Sequence, residues 1–241
     1  MSTQPQSTST LTLSKALSTG LAIAAAVGFL SGGFSLGVLA ANGFTHATTA
    51  GSALGTTTPS TTPATGGTST GAFAVGNTHL LSSSVTTLQG QATTLAQGSK
   101  GTVVVAMASW CLFCGYEDKW VLPQLAKTPG VAIDVVDVSP QGGIADPGPQ
   151  NPPFSGHDGQ GGPLTVAGME TTMQYYVTTF GTLSASNIHV YVAPQTTQSA
   201  WNIQSFPTLA FLGANGTVAV APNGAQTLSQ AQADLQQTLD R

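Results

Sequence analysis

Two cysteines, Cys111 and Cys114, stand three positions apart in the stretch ASWCLFCGYEDKW, residues 108–120, and the chain contains no other thiol. The apolar, β-branched run TVVVAMAS at 102–109 predicts a buried strand just before them, and a helix is predicted just after them. Cys111 would then open a helix, where free N–H groups and the positive end of the helix dipole stabilise a thiolate. Cys114 would lie nearly one turn later on the same side, placed to attack a mixed disulfide formed at Cys111. Spacing and location therefore favour a catalytic dithiol.

Two other kinds of site use the same cysteine spacing. A zinc site usually needs four ligands, but there is no second cysteine pair. The histidines are scattered through the chain at His46, His79, His157 and His189. A structural disulfide across two residues closes too small a loop to stabilise the fold much. Both alternatives remain open at this point, and both are weaker than the dithiol.

A second feature lies in the stretch WNIQSFPTLAFLGANGTV, residues 201–218. Pro207 stands just before an apolar strand, a position that proline tolerates because it needs no ladder N–H there. The Phe206–Pro207 bond is a candidate for the cis form, which is uncommon and usually kept for a tight local geometry. The alternative is an ordinary trans proline in a loop.

The remaining pattern supplies the elements that must position these residues. Strands alternate with helices and are followed by a hairpin and a last helix, which predicts an α/β fold with a mixed central sheet flanked by helices. The helix after the cysteines is expected to turn Trp120 and Leu125 inward and to bend at Pro123. The other predicted elements are a hairpin at 85–95, strands at 131–138 and 188–193, a helix at 169–183, a hairpin around Ala214-Asn215-Gly216, and a helix at 227–239 capped by Thr227 or Ser229.

The chain is expected to have four parts. Residues 1–15 predict a cytoplasmic tail, and the uncharged, mostly apolar segment 16–44 is long enough for a transmembrane anchor. A cleaved signal is the alternative, because VLA before Ala41 suits a cleavage site. Residues 45–72 are rich in Thr, Ser, Gly and Pro and predict a flexible tether, about 30 Å in root-mean-square span. Residues 73–241 form the globular domain, in which the Gly/Pro-rich insertion 139–168 is too long for an ordinary loop and is expected to be a lid, a partner surface or disordered.

Charge is scarce throughout the chain. Only 6% of residues are charged, the net charge is −4, and there are five basic residues. The few basic residues argue against nucleic-acid binding, which requires a Lys/Arg surface. Few basic residues also mean little positive self-repulsion when carboxylates are protonated, so we expect the domain to keep its fold near pH 3.

Together these landmarks resemble the thioredoxin superfamily: a strand, W-C-x-x-C, a helix, then a proline before a hairpin and a terminal helix. The hairpin leading into the active-site strand, and the extra helix and strand at 169–193, are similar to the membrane-anchored TlpA/ResA-like branch. The resemblance covers about residues 75–240. It implies a thioredoxin-like fold and a thiol–disulfide oxidoreductase whose only redox group is the Cys111–Cys114 disulfide, with no other cofactor and no metal.

The resemblance also implies roles for individual residues. Cys111 is expected to attack and Cys114 to resolve, with Glu117 moving a proton or tuning the pKa of the resolving thiol. A solvated helix carboxylate is the alternative for Glu117. Pro207 matches the cis-proline that docks an extended substrate backbone, and Trp110 and Phe206 are expected to contact substrate beside it. The buried acid of thioredoxin, six residues before the first cysteine, is replaced here by Val105, which gives Glu117 more weight.

The function that follows is an extracytoplasmic thiol–disulfide oxidoreductase, held in the cytoplasmic membrane by one span and facing the periplasm or the exterior. It is expected to reduce client disulfides, as in cytochrome c or copper-site maturation and cell redox homeostasis, rather than to oxidise folding proteins. Its partners would be client proteins with disulfides or thiols and a membrane electron donor. The alternatives are a copper(I)-binding chaperone on the same fold, with His189 as a third ligand, and a non-catalytic docking module.

Overall fold

A computed structural model describes residues 71–149, 155–193 and 195–241. The predicted tail at 1–15, the predicted anchor at 16–44 and nearly all of the predicted tether lie outside the described residues. Within the described ranges, no helix is long and apolar enough to cross a bilayer.

The described residues form one seven-stranded sheet in the order β2-β1-β5-β4-β3-β6-β7. The central strands β3, β4 and β5 are parallel, and the remaining pairs are antiparallel. The predicted mixed sheet is therefore confirmed. The strands are β1 (Ser84–Thr87), β2 (Ala92–Thr94), β3 (Gly101–Met107), β4 (Val131–Asp137), β5 (Ile188–Val192), β6 (Thr208–Gly213) and β7 (Val218–Val220).

Helical segments cover the sheet on both faces. The helices are α1 (Leu112–Tyr116), α2 (Leu122–Leu125), α3 (Val166–Phe180), α4 (Gln195–Ala200) and α5 (Leu228–Leu239), with a π-helix at Glu117–Val121 and a 3₁₀ turn at Leu80–Ser82. One apolar core lies between the sheet and α1, α2, α3 and α5. The other core contains Leu80 of the 3₁₀ turn together with Trp201 and Ile203, which follow α4.

Strand β3 is buried along its whole length because it lies between two strands and under both helical layers. Val103 and Val105 point into the core under α1 and α3, whereas Val104 and Ala106 point into the other core. A continuous β-branched run is what a strand covered on both faces requires. This strand therefore fixes Cys111, four residues beyond its end, at the carboxyl edge of the sheet.

Local structure differs from the sequence prediction in three places. The single helix expected after the cysteines is divided into α1, the π-helix and α2, and Pro123 lies in the first turn of α2, directly after the π-helix. Leu125 is buried as expected, and Trp120 is only half-buried. Helix α3 begins three residues before the predicted start because the Thr165 hydroxyl caps it, and it ends at Gly181, which has a φ of 65°.

The third difference is α4, which the sequence did not predict. Its residues QTTQSA have no apolar periodicity, and none of them is buried. By contrast, the closing helix α5 is confirmed, with Thr227 as its cap in a capping box with Gln230.

The described parts of the Gly/Pro-rich segment form an ordered, hairpin-like strap, defined here as residues 139–149 and 155–165. The two arms exchange backbone hydrogen bonds between Asp146 and His157, at 3.1 and 2.8 Å. They approach so closely that a Cβ atom on Gly143, whose φ is 107°, would lie 1.7 Å from the carbonyl oxygen of Gly159. Glycine is required there because no side chain fits between the arms.

Candidate active site

Cys111 is the N-cap residue of α1. Its backbone is extended, with φ −81° and ψ 122°, and its Sγ atom accepts a hydrogen bond from the backbone N–H of Cys114 at 3.4 Å. Cys111 is 5% exposed and Cys114 is 1% exposed. Both thiols are therefore buried, and Cys111, at the helix N-terminus, is the more exposed of the two.

The two thiols differ in their electrostatics. The hydrogen bond from the Cys114 side chain lowers the pKa of Cys111, and backbone N–H groups of Cys114 and Phe113 lower it further, against the opposing effect of burial. Burial raises the pKa of Cys114 well above its ordinary value. The arrangement favours a thiolate at Cys111 and a protonated thiol at Cys114.

The loop before β6 lies against Cys111. The Phe206–Pro207 peptide bond is cis, and the Cys111 thiol donates a hydrogen bond to the carbonyl oxygen of Phe206 at 3.8 Å. The Phe206 ring packs edge-on against Trp110, with the ring centroids 6.1 Å apart. The fold thus brings together Trp110, Cys111, Phe206 and Pro207, which the sequence selected from segments about 95 residues apart.

The two residues between the cysteines lie at the rim of the site. Phe113 is 42% exposed and Leu112 is half-buried. With half-buried Trp110 and Phe206, they surround Cys111 with apolar surface that an incoming chain can contact.

Glu117 is fully buried. One carboxylate oxygen accepts a hydrogen bond from the backbone N–H of Gln226, and the other has no hydrogen-bond partner among residues 71–149, 155–193 and 195–241. Burial raises the pKa of Glu117 to about 8, and the negative charge of Asp118 adds to the effect. Full burial excludes the alternative of a solvated helix carboxylate. The role of Glu117 at the resolving thiol stays a prediction.

Asp118 is a second buried carboxyl group, and the sequence analysis missed it. It is 0% exposed, and its Oδ2 atom accepts a hydrogen bond from the Tyr176 hydroxyl of α3 at 2.5 Å. Burial raises the pKa of Asp118 to about 7 despite the Tyr176 hydrogen bond, which lowers it. The only sequence signal was its spacing of four residues from Cys114, which is one helical turn.

The strap lies directly on the strand–helix junction. The backbone N–H groups of Ala145 and Gly159 donate to the carbonyl oxygens of Ser109 and Trp110, both at 2.8 Å. The Asp158 carboxylate accepts a hydrogen bond from the Leu112 N–H at 2.7 Å. The described part of the predicted insertion is therefore a wall of the candidate site.

The described ranges contain no group of three His, Cys, Asp or Glu side chains placed to hold a metal ion. His189 lies in β5 and pairs with Asp134 of β4. It stands three residues before the end of β5, so it does not lie at the carboxyl edge of the sheet, where Cys111 lies. A copper site at Cys111 and Cys114 would thus lack His189 as its third ligand.

Comparisons with known proteins give matches only among solved structures. Neither the scan against family models nor the search of curated proteins found a match. A thioredoxin-like protein from Aeropyrum pernix is 15% identical, with a TM-score of 0.45 over 64% of this chain and 88% of that one. A secreted Mycobacterium tuberculosis disulfide oxidoreductase, homologous to E. coli DsbE, is 18% identical, with a TM-score of 0.43 over 66% and 97% of the two chains. StoA from Bacillus subtilis is 14% identical, with a TM-score of 0.37 over 63% and 94%.

Proposed function

We propose that this protein is a thiol–disulfide oxidoreductase that uses Cys111 and Cys114. One observation carries the proposal: Cys111 caps α1 at the edge of the sheet, next to buried Cys114 and 3.8 Å from the Phe206 carbonyl in the loop before β6. A structural disulfide needs neither the asymmetry between the two thiols nor an apolar rim around one of them.

The reaction would proceed in two exchanges. The Cys111 thiolate attacks one sulfur of a client disulfide, which forms a mixed disulfide and releases the other client sulfur as a thiolate. Cys114 then loses its proton and attacks the Cys111 sulfur, which releases the second client thiolate. The client gains two electrons and takes up two protons, and the protein is left with a Cys111–Cys114 disulfide.

The surroundings of Cys111 suit an extended client segment. The Phe206 carbonyl oxygen lies 3.8 Å from Sγ of Cys111, and Trp110 packs against the Phe206 ring. Phe113 extends this apolar surface into solvent. A client chain would contact this rim while its disulfide meets Cys111, and the strap would limit the approach from the opposite side.

The reductive direction, the anchor and the location are further parts of the proposal, and the resemblance to the TlpA/ResA-like branch supports them. The protein would be tethered by 16–44 and act outside the cytoplasm on disulfides of the kind reduced in cytochrome c or copper-site maturation. A membrane electron donor would return the Cys111–Cys114 disulfide to the dithiol, because each client consumes two electrons.

Trapping of the mixed disulfide tests the proposal. In the full chain, Cys114→Ala removes the resolving thiol, so extracytoplasmic clients should accumulate as complexes that reductant releases. Cys111→Ala is the matched control and should trap none, because the remaining thiol is buried and protonated. Failure of Cys114→Ala to trap any client, or equal trapping by both variants, would contradict the proposal.

A further inference from the structure

We propose that Asp118, held in place by the Tyr176 hydroxyl, accepts the proton that Cys114 loses in the resolving step. The inference rests on the proposed function. The resemblance indicates two places for a proton acceptor: Glu117, and the position of the thioredoxin acid, which is Val105 here. Asp118 is neither of these.

Position in the chain gives the first argument. Asp118 follows Cys114 by four residues along a continuous helical segment, in which residues four apart are neighbours on one face. Cys114, Asp118 and Tyr176 are all at most 1% exposed. Cys114 and Tyr176 belong to the same apolar core, between the sheet and α3. The resolving thiol thus has a carboxyl group beside it in a region closed to water.

Hydrogen bonding gives the second argument. Tyr176 satisfies the Oδ2 atom of Asp118, but the Oδ1 atom has no hydrogen-bond partner among the described residues, although it is buried. An unsatisfied carboxylate oxygen in a core costs free energy and calls for an explanation. A proton acceptor kept open for the neighbouring thiol supplies one.

Electrostatics agrees with this placement. The negative charge of Asp118 is among the causes that raise the pKa of Cys114, and ionised Cys114 in turn raises the pKa of Tyr176. These effects show that the three groups interact. Burial raises the pKa of Asp118 to about 7, which is in the range that suits a general base near neutral pH.

Glu117 makes its contact elsewhere. Its carboxylate accepts a hydrogen bond from the backbone N–H of Gln226, just before α5, whereas Asp118 contacts α3. Glu117 is thus the rival candidate for the proton acceptor: an adjacent buried carboxyl group in the same π-helix, with a different partner.

The step balances without any further reactant. The Asp118 carboxylate takes the proton from the Cys114 thiol as the sulfur attacks Sγ of Cys111 in the mixed disulfide. The Cys111–Cys114 bond forms, the bond from Cys111 to the client breaks, and the client sulfur leaves as a thiolate. Protonation of that thiolate and loss of the proton from Asp118 return Asp118 to its carboxylate form, and the protein is left with the Cys111–Cys114 disulfide.

The test uses the reduced full chain and 5,5′-dithiobis(2-nitrobenzoic acid) as the disulfide. Attack by Cys111 releases the first coloured thiolate, and resolution by Cys114 releases the second, so one trace reports both steps. Asp118→Asn, which keeps the shape and loses the base, should slow the second release by at least about tenfold. The first release should change far less.

The pH profile separates a proton acceptor from a merely structural residue. In the wild type the rate of the second release should rise through an inflection near pH 7, and Asp118→Asn should lose this inflection. Asp134→Asn, which removes a buried carboxyl group from β4, is the control and should keep it. Glu117→Gln tests the other candidate acceptor, the one that the resemblance indicates. Tyr176→Phe removes the hydrogen bond that lowers the Asp118 pKa, so it should move the inflection to higher pH. This variant provides an independent test if Asp118→Asn folds poorly.

Two results would overturn the inference alone: an unchanged second release in Asp118→Asn, or loss of the inflection in Glu117→Gln and not in Asp118→Asn. Absence of the first release from the wild type would instead contradict the proposed function itself.

Discussion

The carboxylate of Asp158 accepts a hydrogen bond at 2.7 Å from the backbone N–H of Leu112, which ties the strap to the first residue of α1. This N–H is one of the free donors at the helix N-terminus that would otherwise favour an anion. The strap therefore places a negative charge beside the nucleophile, and that charge raises the pKa of Cys111. The loop thus opposes the groups that activate the thiol.

Removing this charge should activate Cys111. Asp158→Asn keeps an oxygen that can accept from Leu112 but loses the charge, so the pKa of Cys111 should fall. The rate of alkylation by iodoacetamide, measured against pH below that pKa, should rise by a few-fold. Asp146→Asn, which removes an equal charge elsewhere in the strap, should leave the rate nearly unchanged. An equal effect of both substitutions would mean that only net charge matters.

Exposed Phe113 should affect clients and not small disulfides. Phe113→Ser removes apolar contact area at the rim, so KM for reduction of a protein disulfide should rise several-fold, while the reaction with a small aromatic disulfide should stay within about twofold. Tyr175→Ser, which removes an exposed aromatic side chain from α3, is the control. If both variants reduce protein disulfides like the wild type, clients do not use this rim.

The domain should be more stable in acid than at mildly alkaline pH. Four fully buried carboxyl groups have raised pKa values, mainly because of burial: about 8 for Glu117 and Asp134, and about 7 for Asp118 and Asp137. Between their unfolded values, near 4, and these folded values, the folded state binds more protons than the unfolded chain. Their stabilising contribution to the free energy of unfolding is therefore fully present below about pH 4 and is lost as the pH rises toward 8.

Urea unfolding of the full chain should show this trend. We expect the free energy of unfolding at pH 4.5 to exceed that at pH 8 by at least about 2 kcal/mol. Asp134→Asn should reduce the difference, because it removes one of the four buried carboxyl groups whose pKa burial raises. Burial lowers the pKa of His189, so this group makes the fold more stable as the pH rises. Its effect is that of a single group, whereas four carboxyl groups act in the other direction. Greater stability at pH 8 would contradict the prediction.

The reduction potential should decide the direction of the reaction. A reductant is expected to lie near thioredoxin, at about −270 mV, and an oxidant near about −120 mV. We expect the lower value, which equilibration of the full chain with glutathione buffers and quantification of the Cys111–Cys114 disulfide would measure. A value near about −120 mV would mean that Cys111 and Cys114 still exchange disulfides with clients but oxidise them instead of reducing them.

Local pattern in the sequence was enough for much of the fold. The β-branched run ending at Met107 made β3 recognisable, and the polar start at Thr227 marked α5. Helix α4 was not predicted because none of its six residues is buried and they show no apolar periodicity. The division of the helix after Cys114 was not predicted either, because the residue types do not distinguish a π-helix from an α-helix.

For the candidate site, the sequence by itself determined the residues that carry their own signal: Cys111 and Cys114 by spacing, and Pro207 by its place before a strand. Only the tertiary structure decided their surroundings. It set the Phe206 carbonyl beside Cys111, folded the strap onto Leu112, and paired Asp118 with Tyr176, 58 residues further along the chain. The physical reason is that a carboxyl group acquires its chemistry from burial and from its partner. Neither is encoded by its immediate neighbours in the sequence.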